Sequence, residues 1–180
     1  MSSAPTGIGC IHGRRPDDLP ACVETLTRVH VAAGYPSVWP ADPEAWLDPP
    51  GLLAAWVVRR GASDDGGSVL GHVAITADVD PVFPAATGRP LDQLAAVTRL
   101  FVDPAEQRSG GARALLAPAT AASAELDRRL VLDVVADAGP ALALYQRLGW
   151  EQVGTRTASW TTPDGRRPEL RLFTFPAASR

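Results

Sequence analysis

At 180 residues, 46% hydrophobic and 21% charged, the chain has the length and composition of one soluble globular domain with a sizeable core. A net charge of -3 excludes a general nucleic-acid binder, which needs a basic face, and no apolar run is long enough to span a bilayer. All 17 basic residues are arginine, which excludes a P-loop lysine, a Schiff-base lysine and a pyridoxal-phosphate anchor.

Cys10 and Cys22 do not make a disulfide framework. His12, His30 and His72 fall in no metal-ligand spacing, so no metal is expected. The N-terminus lacks the basic and apolar regions of a signal peptide, and a cytoplasmic location is the default expectation.

Residues 1–6 read as a disordered N-terminus and 7–180 as a single domain. Ile8 to His12 suits a short first strand. Gly7-x-Gly9 lacks the preceding strand and the third glycine of a dinucleotide site. Pro16-Asp17-Asp18 opens a helix, with proline in the first turn and acids at its positive end. Leu19, Val23, Leu26 and Val29 recur at helical spacing, and Gly34-Tyr35-Pro36 ends the run. The segment that follows is rich in proline and aromatics, with a short helix from Pro43 to Leu47. Tyr35 and Trp39 are candidate apolar walls of a substrate pocket, whereas Trp46 reads as an anchor to the core.

Leu53 to Arg59 and Val69 to Ala77 read as antiparallel strands joined by a turn at Asp64-Asp65-Gly66-Gly67. His72 lies in the second of them. It is a candidate base, but a lone strand histidine is more often structural. Asp78 to Leu91 reads as a long loop, interrupted by Pro81, Pro84, Gly88 and Pro90.

Val97 to Val102 is a buried strand, stopped by Asp103-Pro104. Ser109 is a good N-cap for the helix that follows, whose composition is strongly helical from Ala112. The first N–H groups of a helix have no intrahelical partner and carry partial positive charge. Gly110 and Gly111 let a bulky anion approach them, and Arg108 and Arg113 add full charges. The stretch reads as a pyrophosphate cradle; an ordinary strand-to-helix turn with flexible glycines would carry the same letters. Pro118, deep in the helix, predicts a kink.

Leu130 to Val135 is a buried strand with one acid, Asp133. Burial would raise its pKa toward a range useful for a base; a carboxylate satisfied by backbone N–H groups or by an arginine such as Arg99 reads equally well. Ala141 to Leu148 is a helix capped by Gly149. Leu144 and Leu148 form its core-facing pair, which puts Tyr145 to one side with its hydroxyl toward a cleft. Glu151 to Trp160 and Leu170 to Phe175 are the last strands, joined by a turn at Pro163-Asp164-Gly165.

Arg99-Leu100-Phe101-Val102-Asp103-Pro104 followed by Gln107-x-x-Gly110-x-Ala112 resembles motif A of the GNAT acetyltransferases. In that family a Q/R-x-x-G-x-G/A loop holds the pyrophosphate of acetyl-CoA. Ala141-Leu142-Ala143-Leu144-Tyr145-Gln146-Arg147-Leu148-Gly149-Trp150 resembles the family's motif B, A-x-x-L-Y-x-x-L-G-F. Gly71-His72-Val73 resembles a strand common in the same family. The resemblance implies an α/β fold: a mixed, mostly antiparallel, roughly six- or seven-stranded sheet with helices on both faces. Two parallel strands, Val97–Val102 and Leu130–Val135, would splay apart around acetyl-CoA.

By motif position, Leu100, Phe101 and Val102 would line the pantetheine. Arg108, Ser109, Gly110, Gly111, Ala112 and Arg113 would hold the phosphates. Tyr145 would be the general acid, and Asp133 matches a glutamate of members that acetylate protein N-termini. One departure is Ala138, where many relatives carry an asparagine that contacts the pantetheine arm.

The implied reaction is direct transfer of an acetyl group from acetyl-CoA, as cosubstrate and without a metal, to a primary amine of a small molecule or peptide. No nucleic acid or membrane partner is implied, and a homodimer stays open. The alternative is a non-catalytic acyl-CoA-binding module on the same fold.

Overall fold

The computed structural model describes residues 9–61 and 68–176. Its elements are β1 (Cys10–Gly13), α1 (Leu19–Ala33), α2 (Pro43–Leu47), β2 (Leu52–Arg59), β3 (Val69–Thr76), α3 (Val82–Thr87), β4 (Leu94–Val102), α4 (Gly111–Glu125), β5 (Arg129–Val135), α5 (Gly139–Arg147), β6 (Glu151–Thr157) and β7 (Glu169–Thr174). The strands form one seven-stranded sheet in the order β1-β2-β3-β4-β5-β7-β6. Every neighbouring pair is antiparallel except β4 and β5. The expected N-terminal disorder and the turn at Asp64 to Gly67 lie outside the described residues.

Strand alternation sorts the core into two sides. Val58, Leu70, Leu130 and Leu132 face Leu115, Leu116 and Ala119 of α4 and Tyr145 of α5. Their neighbours Val57 and Val69, with Phe101, face Cys22, Leu26 and Val29 of α1 and Leu47 of α2. Val131 faces the same way, against Phe83 of α3. The helices thus cover both faces, as expected.

Several boundaries differ from the sequence reading. The stretch from Asp78 to Leu91 is not all loop, because α3 sits inside it. Its Pro81 and Pro84 fall at or near the helix start, where the missing N–H costs nothing. Ser109 does not cap α4. Gly110, at φ 87, holds the N-cap position, and the Ser109 N–H donates to the Glu106 carbonyl at 3.2 Å. α4 continues through Pro118 to Glu125. The cap of α5 is as expected: Gly149 at φ 82 lets the Trp150 N–H reach the Tyr145 carbonyl at 3.0 Å.

The parallel pair is short. Leu94↔Arg129, Ala95↔Leu130 and Ala96↔Val131 are its only partners, after which the two strands separate. Just past the separation β4 carries an irregularity: the register with β3 shifts between Ala74↔Thr98 and His72↔Phe101. Arg99, inside it, has the left-handed φ of 54. His72 holds this kink from below. It is fully buried and stacks on Phe101 at 5.4 Å. Its Nδ1 lies 2.9 Å from the Arg99 carbonyl, which can only accept, so Nδ1 carries the proton. Burial pushes the ring's pKa down to about 4, with Arg14 and Arg99 acting in the same direction. His72 is therefore a neutral structural donor.

Two stability predictions follow from this packing. A Cβ on Gly71 would lie 2.8 Å from the Phe101 carbonyl oxygen and 3.1 Å from both Leu115 and Val58. Backbone cannot yield cheaply, so Gly71→Ala should destabilise the fold by roughly 1–3 kcal/mol, read as a lowered thermal midpoint. The unfolded chain protonates His72 near pH 6.5, whereas the folded chain resists to about pH 4. Between these values the unfolded state binds more protons, so stability falls on acidification, by at most about 1.4 kcal/mol per pH unit. His72→Asn keeps a donor near the Arg99 carbonyl but cannot titrate. Urea midpoints at mildly acidic and neutral pH should differ less in this variant; equal differences would mean that folded His72 protonates normally.

Candidate active site

The chain's two motifs meet at the fork between β4 and β5. At its wide end, the turn after β4 leads into α4. The first helical bond there runs from the Ala114 N–H to the Gly110 carbonyl at 2.9 Å. The N–H groups of Gly110, Gly111, Ala112 and Arg113 precede it and have no backbone acceptor among the described residues. The turn's acids are already satisfied: Asp103 pairs with Arg28 at 2.8 Å and Glu106 with Arg60 at 2.6 Å. Arg108 and Arg113 are exposed and pair with no acid among the described residues. Free N–H groups, the positive helix end and two unpaired guanidiniums make an anion cradle. Gly111 is buried against Val102, where a Cβ would make ordinary van der Waals contact at 3.4 Å.

Of the residues expected along the arm, Leu100 and Val102 are half-buried on the α4 side. Phe101 is 4% exposed and points to the α1 side, so only its backbone can face the fork. Ala138 stands at the N-cap of α5, and its methyl side chain has no polar group to offer the arm.

At the narrow end the fork opens into a cavity of about 180 Å³. Ala96 to Arg99 of β4 form one wall and Leu132 and Asp133 of β5 the other, with Pro49, Pro50, Thr76, Asp78, Asp80 and Phe83 around them. Asp133 is not buried as its aliphatic neighbours suggested. Its side chain is 36% exposed and pairs with Arg156 at 2.6 Å, not with Arg99. Its strand is apolar on both sides, but the fork leaves this position open. The same Arg156 nitrogen reaches Asp80 at 3.0 Å, tying the loop before α3 to β5 and β6.

Tyr145 also differs from expectation. It is the one buried residue of α5, while Leu144 and Leu148 are only half-buried. Its ring packs on Trp150 at 5.7 Å and Phe173 at 6.0 Å. Burial raises its pKa above the usual phenol value, helped by Tyr35 and Asp133. Tyr35 is half-buried, edge-on to Trp46 at 6.1 Å, and burial pushes its hydroxyl up to about 12. Arg99 opposes that shift and Asp133 adds to it. Trp39 is not on the cavity wall; it is 36% exposed and packs tilted against His30 at 5.1 Å.

Sequence reasoning gave no site role to Arg99, Asp78, Asp80 or Arg156. The strain at Arg99 leaves no mark in the letters, because non-glycine residues at positive φ are uncommon. Asp80 and Arg156 lie in segments without a motif. Trp46 does serve as an anchor, and what it anchors is Arg99, whose guanidinium lies 4.4 Å over its ring.

Several solved structures of similar fold are named as acetyltransferases. The chain superposes on the ribosomal-protein-S18-alanine N-acetyltransferase of Escherichia coli with a TM-score of 0.67 and 21% identity, covering 95% of each chain. Arabidopsis thaliana NAA60 in complex with acetyl-CoA gives 0.71 and 20%, over 92% of this chain and 97% of that one. The ribosomal-protein-alanine N-acetyltransferase of Brucella melitensis gives 0.69 and 20%, over 93% and 99%. No curated protein matches the sequence. The family model for the acetyltransferase (GNAT) family matches residues 19–150, from α1 through the cradle and the tyrosine helix to Trp150, and the chain belongs to that family.

Proposed function

We propose that this acetyltransferase moves the acetyl group of acetyl-CoA directly to a primary amine of a small molecule or peptide, in the cytoplasm. The observation that carries the reading is the fork itself. It has an anion cradle at one end and, at the other, a polar cavity with Asp133 on its wall. The cradle suits the cosubstrate: four N–H groups without a backbone acceptor and two exposed arginines without an acidic partner, among the described residues, gather at the start of α4. When bound, acetyl-CoA supplies the activated thioester.

The chain's residues then have three tasks. The fork's two walls hold thioester and amine side by side, a proximity effect of about 7–11 kcal/mol. Asp133, half-exposed at the cavity, draws in the ammonium form and passes its proton toward solvent. Tyr145 is assigned as the proton donor for the departing thiolate; burial keeps the phenol protonated beforehand and also raises the cost of the phenolate that donation leaves. The observation on the other side is Ala138, which removes one expected contact with the arm. A non-catalytic acyl-CoA-binding module is what would remain if no amine released free thiol.

Two variants test the assignments. Gly110→Asp tolerates the positive φ better than most substitutions but sets a carboxylate in the cradle. Calorimetry on the folded variant should show acetyl-CoA affinity reduced tenfold or more, roughly 1.4 kcal/mol; unchanged affinity would place the cosubstrate elsewhere. Tyr145→Phe keeps the ring packed against Trp150 and Phe173. It should lower kcat by roughly 10²-fold while leaving acetyl-CoA binding nearly intact. Turnover within a few-fold of wild type would reduce Tyr145 to a packing role.

A further inference from the structure

Arg99 is held in place by groups that do not neutralise it. Its Nε donates to the Trp46 carbonyl at 3.0 Å and its Nη1 to the Thr98 hydroxyl at 2.5 Å. Its guanidinium is stacked on the Trp46 ring. None of these partners carries a charge. The residue is half-buried, and no carboxylate among the described residues comes within ion-pair distance of it. Asp78 and Tyr35 are near enough to influence its charge without pairing. Its Nη2 donates to nothing among the described residues.

A cation taken partly out of water with no anion beside it is costly, and such groups are ordinarily paired. The other arginine at this cavity obeys that rule, since Arg156 is shared by Asp80 and Asp133. Arg99 breaks it on the cavity wall, in a left-handed backbone conformation held open by His72. A guanidinium fixed in one orientation with a free terminal nitrogen suits a planar carboxylate.

The opposite wall carries the complementary charge. Asp133 keeps an exposed side chain beyond its contact with Arg156. A cation on β4 and a carboxylate on β5 thus face one small cavity, whose 180 Å³ lies below the size of ordinary drug-like sites.

We propose that Arg99 binds the carboxylate of the acceptor, so that the acceptor class is a free α-amino acid. Its ammonium is then directed to the Asp133 wall. A polyamine has no group for Arg99, and a peptide N-terminus offers a neutral amide where the carboxylate should be. This assignment rests on the acetyl-transfer reading. Arg99 acts on specificity and takes no part in the bond changes: the amine nitrogen gains the acetyl carbon and loses a proton, and the sulfur leaves as thiolate and is protonated.

The test uses the full chain, acetyl-CoA and free-thiol release, with the common L-α-amino acids, their α-carboxamides and a polyamine such as spermidine. The best amino acid should exceed its own amide in kcat/KM by roughly tenfold to a hundredfold. Arg99→Gln should abolish that difference, raising KM for the acid by far more than it changes KM for the amide. Arg99→Lys should retain part of it. If Arg99 only braces α2, its loss will lower acid and amide alike, which overturns the proposal. Amides or spermidine turned over as well as the acids also overturn it.

If no acceptor releases thiol, the transfer reading fails. Calorimetric titration of the same acids and amides into the CoA-saturated protein then decides the inference separately. Binding that needs the carboxylate and is lost in Arg99→Gln supports it, and absence of such binding overturns it.

Discussion

The site depends on two parallel strands that pair for only three registers. β4 and β5 are hydrogen-bonded from Leu94↔Arg129 to Ala96↔Val131 and then part. Neither can swing back. β4 is held on its other edge by β3, and β5 by β7 from Val131↔Thr174 to Val135↔Leu170. The facing backbone edges above Ala96 therefore lack strand partners, and buried backbone groups demand partners. An extended ligand laid along the fork would find backbone groups without strand partners on both sides of it.

Charge is distributed to match. Near the cradle, acids are neutralised by arginines from distant elements, Asp103 by Arg28 and Glu106 by Arg60. Exposed pairs of this kind contribute little to stability. Their effect is local: they remove negative charge from a turn that presents Arg108, Arg113 and the start of α4. At the narrow end the arrangement reverses, with Asp80 and Asp133 sharing one arginine. The fork thus has a cationic end at the cradle and, at the cavity, a mixed end where Asp78, Asp80 and Asp133 share the lining with Arg99.

The parts legible in the sequence were those governed by local rules. Gly149 ends α5 because a positive φ there closes the helix, and the unpaired N–H row follows from any helix that starts at the tip of a strand. The pattern of Val57, Val58, Val69 and Leu70 reads directly as two faces. What failed needed tertiary knowledge. An acid among aliphatics reads as buried, yet Asp133 lies where the strand has lost its neighbour. Ser109 reads as a cap, yet its N–H is spent on the Glu106 turn and Gly110 takes the position. Proline-rich Asp78 to Leu91 reads as loop, yet two prolines at a helix start cost nothing. Arg99 reads as an ordinary strand residue, and only the β3–β4 register shift shows otherwise.

The same reversal bears on Tyr145 and Asp133. The Tyr145 hydroxyl was expected to reach a cleft, and the residue is buried; Asp133 was expected buried and is open. Burial against Trp150 and Phe173 disfavours the phenolate, so Tyr145 holds its proton more tightly than an exposed phenol would. Asp133 keeps contact with solvent at the edge of the cavity. Arg156, shared with Asp80, holds that carboxylate in place without closing it off from water. Tyr145 is thus sealed by the packing around α5, and Asp133 is left in contact with solvent by the missing neighbour of β5.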